Sequence, residues 1–212
     1  MKFKILHSII MLGLLSLAAE VRAQFPYVQS FKDEAAAPTL VFGGSPNSAL
    51  LTSGNIDAAN SGYLRLTNSE GSQTGFVYNN SILPTTFGMD VEFEYFIYGG
   101  SGADGLTFFL FDASTQQFRV GQFGGALGYA HNCNGPGISN AYLGVGFDAF
   151  GNFSGSGECK SGQATGAGSI IVRGPGNGQQ STDYPQIAGV NTNALPVSPF
   201  LLTEGRTRDT LP

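Results

Sequence analysis

The chain has 212 residues, which is enough for one domain with its own hydrophobic core. Its 31 glycines, 17 phenylalanines and low share of charged residues (12%) predict an all-β protein of short strands and tight turns rather than helices. The formal net charge of −5 argues against a nucleic-acid-binding surface, whereas acidic oxygens suit a hard divalent cation.

The first 23 residues have the pattern of a secretory signal peptide. Lys2 and Lys4 precede an apolar run over residues 5–19, and residues 21–23 (Val-Arg-Ala) form a small-residue cleavage pattern. A membrane helix is the alternative interpretation of this run. We expect cleavage after Ala23, no transmembrane segment afterwards, and a secreted or cell-surface domain over residues 24–212. Its net charge is −7, because the leader removes three basic residues and one acidic residue.

Two hydrophobic patterns in the sequence predict strands. Strands with one buried face alternate apolar and polar residues, whereas central strands are apolar throughout. The alternating segments are residues 64–67 and 91–98, and the apolar ones are residues 106–111, 142–147 and 169–173. Loops rich in Gly, Ser, Asn and Pro lie at residues 99–105, 132–137 and 151–168. We therefore expect two packed antiparallel sheets. The polar end after residue 202 lacks a closing strand and indicates a truncated domain or fragment.

Cys133 and Cys159 are the only cysteines, and both lie in the exported part of the chain. An oxidising compartment favours a disulfide between them. Two cysteines alone cannot form a structural zinc site, and their spacing is far from that of a Cys-x-x-Cys redox motif. We expect the bridge to tie together the loops on either side of residues 140–150.

Residues 100–105 (Gly-Ser-Gly-Ala-Asp-Gly) satisfy the pattern G-x-G-x-x-G of dinucleotide-binding folds. In those folds the motif lies between a strand and a helix whose N-terminus holds the pyrophosphate. Here a β-rich apolar run follows instead of a helix. The required context is missing, and we expect no nucleotide site.

Asp148, Phe150 and Asn152 are two residues apart after a predicted strand. In an extended stretch their side chains point to one side, and backbone carbonyls between them can turn inward. A carboxylate, a carbonyl from Phe150 and an amide oxygen form an oxygen-only ligand set that suits Ca²⁺. A capped turn after a core strand is the alternative, since Asp and Asn are common turn residues.

Asp104, Gly124, Gly125 and Phe150 are candidates for contact with a ligand. Asp104 could point its carboxylate at ligand hydroxyls or cap its own turn. Gly124 and Gly125 could leave backbone N–H groups open to a ligand or simply form a tight turn. Phe150 could offer a ring face to the apolar side of a sugar or be buried in the core.

Three segments in one order resemble the L-type lectins: the legume seed lectins, the animal cargo lectins of the secretory pathway and related modules of bacterial surface proteins. These lectins show Ala-Asp-Gly before a Phe-rich strand, a Gly-Gly-x-Leu-Gly loop, and an apolar strand ending in Phe-Asp-x-Phe-x-Asn. The corresponding segments here are residues 103–109, 124–128 and 145–152. The resemblance spans most of the mature chain and implies a concanavalin A-like, jelly-roll β-sandwich of two antiparallel sheets.

The resemblance also implies a carbohydrate site. Asp104 would accept hydrogen bonds from sugar hydroxyls and would follow a cis peptide bond. Gly125, together with Gly124, would donate backbone N–H groups to the sugar. Phe150 would stack on the sugar ring, and Asn152 would serve both sugar and calcium.

One calcium site is the metal site that the resemblance implies. Asp148 would anchor the ion, with the Phe150 carbonyl and Asn152 as further ligands. The family's additional carboxylate falls in a Gly- and Ser-rich stretch, where Glu158 is the nearest candidate and Asp183 a remoter one.

The family's second, transition-metal ion is not expected in this chain. Legume lectins carry a Glu two residues before the metal-binding Asp and a His further on. Here the first position is Gly146, and no His follows it. His131 could in principle approach the site, but a lone loop histidine is more often a surface residue.

The expected function is a secreted or cell-surface carbohydrate-binding module, such as the N-terminal part of a larger adhesin, that performs no chemistry. A structural or adhesion domain without sugar binding is the first alternative, since fold does not determine function. A glycoside hydrolase on the same sandwich is the second. Such enzymes need two carboxylates flanking the scissile bond, typically on a Glu-x-Asp-x-x-Glu strand. Here the flanking positions of Asp148 are Gly146 and Gly151.

Overall fold

The computed structural model describes residues 26–86 and 88–195. Its strands are β1 Leu40–Ser45, β2 Leu50–Leu51, β3 Leu64–Arg65, β4 Thr74–Asn79, β5 Gly105–Phe111, β6 Ala141–Asp148, β7 Ser169–Arg173 and β8 Gln186–Asn191. Single 3-10 turns lie at Gly124–Ala126, Gly157–Cys159 and Thr192–Ala194. The expected signal peptide and the polar C-terminal end lie outside the described residues. Within those residues, no helix has the length and hydropathy needed to cross a membrane.

Contacts divide the chain into two units, Met1–Ser30 and Phe31–Pro212. In the first unit, residues 26–30 are described and form neither helix nor strand. The second unit contains all eight strands named above. The candidate site residues therefore all belong to the second unit.

All three sheets of the described chain are antiparallel. β1 pairs with β4, β2 pairs with β3, and β5-β6-β7-β8 form a four-stranded sheet in chain order. Gly105 lies opposite Asp148, and Asp148 lies opposite Ser169. The loops before β5, after β6 and before β7 therefore meet at one end of the four-stranded sheet. The prediction of an all-β protein with antiparallel sheets is confirmed.

The predicted strands agree with the structure where the chain is most apolar. The segments predicted at 106–111, 142–147 and 169–173 correspond to β5, β6 and β7, whereas the one predicted at 64–67 is limited to Leu64–Arg65. A strand at 91–98 is wrong, because these described residues carry no ladder. Four strands, β1, β2, β4 and β8, lie outside the predicted segments. β2 has only two residues, and the other three contain glycine or polar residues that weaken the period-2 pattern.

One face of the four-stranded sheet is covered by loops. A Cβ at Gly144 would lie 2.8 Å from the Tyr129 ring, and one at Gly146 would lie 2.3 Å from the Phe153 ring. Tyr129 and Phe153 are fully buried, and they share a core with Ile171 of β7. Glycine at these strand positions lets aromatic loop residues pack directly on the backbone. This packing fixes the loop after β6 against the sheet.

The opposite face explains why residues 91–98 alternate without pairing as a strand. Phe93 stands 6.1 Å from Phe108 and 5.8 Å from Phe147, measured between ring centroids, and Tyr95 stands 4.8 Å from Phe147. The segment thus lies along the sheet through its side chains. An alternation of apolar and polar residues indicates which side chains share a face. A strand ladder also requires a neighbouring strand with free N–H and C=O groups.

Candidate functional site

Asp148 ends β6 and is fully buried. Its carboxylate accepts hydrogen bonds from the backbone N–H groups of Gly151 (2.7 Å), Phe153 (2.9 Å) and Ser154 (3.3 Å). Burial raises the pKa of Asp148, and these backbone donors oppose that rise because they favour the charged form. Asp148 therefore caps the turn after β6, as the capped-turn interpretation expected.

Asp104 lies immediately before β5, beside the turn that Asp148 caps. Its backbone carbonyl accepts from the N–H groups of Ala149 (3.0 Å) and Phe150 (3.2 Å). The peptide bond from Ala103 to Asp104 is cis, as the lectin resemblance implied. Pairing of β5 with β6 thus brings the Ala-Asp-Gly segment against the segment that ends in Asn152.

Several charged and polar groups surround the Asp104 carboxyl. Burial raises its pKa, a hydrogen bond with the Asn152 side chain lowers it, the negative charge of Glu158 raises it, and the positive charge of Lys160 lowers it. The net direction is upward. A half-desolvated carboxylate with an amide partner is suited to accept hydrogen bonds from ligand hydroxyls.

The glycine pair approaches these side chains from a third segment, the 3-10 turn Gly124–Ala126. Gly124 adopts a left-handed φ of +67°, and a Cβ there would lie 3.8 Å from Asp104 Oδ2. A Cβ at Gly125 would lie 2.6 Å from Cγ and Nδ2 of Asn152 and 2.7 Å from Glu158 Oε2. Gly125 is therefore glycine because the site residues occupy the space that any side chain would need.

The structure thus brings together the sugar-site residues predicted from three distant segments. Asp104, Gly125, Asn152 and Glu158 meet at the end of the four-stranded sheet. Asn152 Oδ1 is buried and has no hydrogen-bond partner, although its amide nitrogen faces Asp104 and Gly125. A buried acceptor without a donor is uncommon in native proteins and points to a group that binds there.

Phe150 lies at the rim of this cluster with 59% of its surface exposed, which excludes the buried-ring interpretation. Phe123, the residue before the glycine pair, is 49% exposed. Phe123 was not among the predicted site residues. Its position next to a glycine pair could have indicated an exposed ring, because an aromatic residue in a tight surface turn seldom contributes to a core. Both rings flank the site along the chain and are available for stacking.

The loop after β6 is held in place by a disulfide and a buried arginine. Cys133 and Cys159 are bonded, with their Cα atoms 5.1 Å apart, which confirms the predicted bridge. The fully buried Arg173 donates hydrogen bonds to the carbonyls of Phe153, Gly155, Ser161 and Tyr184. Burial lowers the pKa of Arg173 to about 10. Arg173 therefore positions the loop that carries Asn152 and Glu158.

His131 and Asp183 have structural partners. The expectation that His131 lies at the surface is wrong: it is fully buried, and its Nε2 stands 2.9 Å from the carbonyl oxygen of Cys159. This contact connects His131 to the residue that is disulfide-bonded to Cys133. Asp183 accepts from the N–H groups of Asn177 (3.3 Å) and Gln180 (2.9 Å). It caps its own turn.

The donor set fits a calcium ion incompletely. Asn152 Oδ1 is available, but Asp148 already accepts three backbone hydrogen bonds, and Glu158 Oε2 stands 2.7 Å from Lys160 Nζ. Among the described residues no three His, Cys, Asp or Glu side chains are grouped as metal ligands would be. Calcium prefers about six to eight oxygen ligands, which this arrangement does not supply. Calcium binding stays a prediction.

Two further features of the sequence concern a nucleotide site and a second metal site. The glycine-rich residues 100–105 lead into β5 rather than into a helix, so the context of a dinucleotide motif is absent there. Gly146 occupies the position at which legume lectins carry the Glu of their second metal site. A side chain there would meet the Phe153 ring, so there is no room for a carboxylate.

A comparison of the chain with protein-family profiles and with curated protein sequences gives no match.

Proposed function

We propose that the chain is a secreted or cell-surface carbohydrate-binding module with a concanavalin A-like, jelly-roll β-sandwich, and that it performs no chemistry. In this proposal Asp104 accepts hydrogen bonds from sugar hydroxyls, and Gly125 and Asn152 donate to sugar oxygens. Phe150 stacks on the apolar face of the ring. The lectin resemblance supplies these roles, and the disulfide suits an exported protein.

One observation supports this proposal above the others. Three segments converge on one point although Asp104, Gly125 and Asn152 are 21 and 27 residues apart in sequence. Asn152 and Glu158 both lie within 2.7 Å of the Cβ position at Gly125, and Asn152 hydrogen-bonds with Asp104. Beside them stands a largely exposed aromatic ring, Phe150. Convergent polar groups next to an apolar surface are typical of a sugar site.

The hydrolase alternative has less support from the same geometry. Asp148 is fully buried and bound to three backbone N–H groups, and Glu158 is paired with Lys160. A glycosidase needs an acid and a nucleophile or base that both reach the scissile bond. Asp104 is half-buried, and its pKa is raised by burial and by the charge of Glu158 and lowered by Asn152 and Lys160, so one carboxyl group at most is placed for such chemistry.

The test is a printed array of bacterial and animal cell-surface glycans, probed with fluorescently labelled protein. Asp104→Asn keeps the shape of the side chain and removes its charge. We expect it to lower binding about 10- to 150-fold, the loss of a hydrogen bond to a charged group. Asp112→Asn, an exposed aspartate beyond the far end of β5, is the matched control and should bind normally.

The outcomes distinguish the three functions. Glycan binding that is lost in Asp104→Asn and retained in Asp112→Asn supports the module. Binding that survives Asp104→Asn contradicts the assigned site, and no binding to any glycan favours a structural or adhesion domain. Release of reducing sugar from a polysaccharide panel would indicate a hydrolase.

A further inference from the structure

Lys160 is a buried cation at the candidate site. Its side chain is 0% exposed, and its Nζ stands 2.7 Å from Glu158 Oε2, while the Glu158 side chain is 44% exposed. Burial lowers the pKa of Lys160, and the hydrogen bond with Glu158 raises it. Burying an ammonium group is costly unless nearby negative charges compensate it. The position of Lys160 therefore requires an explanation from its neighbours.

The neighbours are the site carboxylates. Besides Glu158, Lys160 interacts favourably with Asp148 and with Asp104, whereas Arg173 repels it. One ammonium group is thus ion-paired with Glu158, and its charge also acts on Asp104 and Asp148. A calcium ion would have to share these carboxylates with a resident positive charge.

Lys160 also orients the site. It holds Glu158 Oε2 2.7 Å from the Cβ position of Gly125, beside the Asn152 amide at 2.6 Å. If Glu158 were unpaired, its charge would favour an extended position in water over one beside a half-buried Asp104. The ion pair therefore keeps Glu158 against the glycine turn, beside Asn152, before any ligand arrives.

We propose that the Lys160 ammonium takes the place of calcium in this protein, so that the sugar-binding groups are preorganised without a metal ion. The role in sugar binding rests on the proposed function, but the metal independence does not. The Lys160 ammonium is part of the chain, so its positive charge is present at any calcium concentration. Groups that are already positioned lose less conformational entropy when they bind a ligand. Lys160 is a positioning residue and does not itself contact the sugar.

The first experiment measures thermal unfolding of the full chain in a chelator and in calcium at about 10 mM, tenfold above the weakest extracellular sites. We expect the same Tm in both. A resident site with a Kd near 1 mM would raise Tm by about 3–6 °C through ligand linkage. Such a rise in the wild-type protein would overturn the proposal. The readout needs no sugar, so it stands even if no glycan is found.

The second experiment removes the ammonium. Lys160→Met keeps an unbranched side chain out to the ε position and removes the ammonium group. Lys32→Met is the matched control, because it removes the same charge at a different place, over the Tyr63 ring. We expect Lys160→Met alone to lose stability in chelator and to gain a calcium-dependent rise in Tm of about 3–6 °C. A Lys160→Met protein as stable as wild type and insensitive to calcium would overturn the proposal.

Glu158→Gln covers the case in which Lys160→Met does not fold, since it changes a half-exposed side chain. It leaves the buried ammonium with one partner fewer, and we expect a lower Tm that calcium does not restore. A calcium-induced rise in Tm in this variant would overturn the proposal. For a glycan identified on the array, binding should be unchanged by chelator in the wild-type protein. Binding that chelator abolishes would refute metal independence and leave the sugar site itself intact.

Discussion

Replacing Gly125 with alanine places a methyl group where Asn152 and Glu158 already lie. The new Cβ would stand 2.6 Å from the Asn152 amide and 2.7 Å from Glu158 Oε2, whereas ordinary contact begins at 3.4 Å. Both side chains must therefore retreat by about 0.7–0.8 Å. The φ angle of Gly125 is not in the left-handed region, so alanine adds no backbone strain.

The expected result separates binding from stability. Displacing the Asn152 amide disrupts its hydrogen bond with Asp104 and its alignment toward a sugar, so affinity should fall about 10- to 150-fold. Overpacking should cost about 1–3 kcal/mol of the free energy of unfolding. The assay is titration of labelled protein on the array glycans, together with denaturant unfolding.

Gly157→Ala is the matched control for this substitution. It lies in the same loop as Glu158, its φ is not left-handed, and no atom lies within 4 Å of its Cβ position. It should bind normally. Wild-type affinity in Gly125→Ala would refute the reasoning, because the crowded contact would then have no part in the site. Equal losses in both variants would show that the loop, not the contact, controls binding.

Three further predictions use other features of the structure. Phe150→Ala should lower glycan affinity about 2- to 13-fold through lost stacking, whereas Tyr142→Ala, an exposed aromatic at the other end of β6, should have no effect in the same titration. Replacing Cys133 and Cys159 with serine opens a 26-residue separation and should lower the free energy of unfolding by about 3–4 kcal/mol in urea, and an unchanged urea midpoint would contradict this. Burial raises the pKa of Tyr184 from 10 to about 12, so its stabilisation is complete below pH 10 and is lost as pH rises toward 12. Denaturant unfolding across this range should show that loss, and it should be smaller in Tyr184→Phe.

The local sequence was sufficient to predict several elements of this protein. β5, β6 and β7 are apolar enough to be recognised alone, and the two cysteines of the chain had no other cysteine to pair with. The Ala-Asp-Gly, Gly-Gly and Asp-x-Phe-x-Asn segments could be recognised as site candidates because their order resembles that of the L-type lectins, whereas each segment alone also suits a tight turn. Such features depend on residues close together in the chain, where composition and period carry the information.

Local patterns could not predict burial in the loops. His131 and Lys160 lie in polar, glycine-rich segments that would normally be solvated, yet both are buried close in sequence to the two bridged cysteines. Phe150 has an apolar ring that would suit a core, but the ring is exposed. Residues 91–98 alternate like a strand but contact the sheet only through side chains. Each outcome depends on neighbours from distant parts of the chain.

By itself, the sequence determined an all-β chain with a disulfide and three glycine-containing site segments, because backbone preference and hydrophobic period act over a few residues. The tertiary structure decided which groups face one another: Asp104 beside Asn152, Gly125 against Glu158, and Lys160 among the site carboxylates. These contacts depend on the register of β5 with β6 and on the loop that Arg173 holds. The charges of Asp104, Glu158 and Lys160 therefore interact only when the chain has folded.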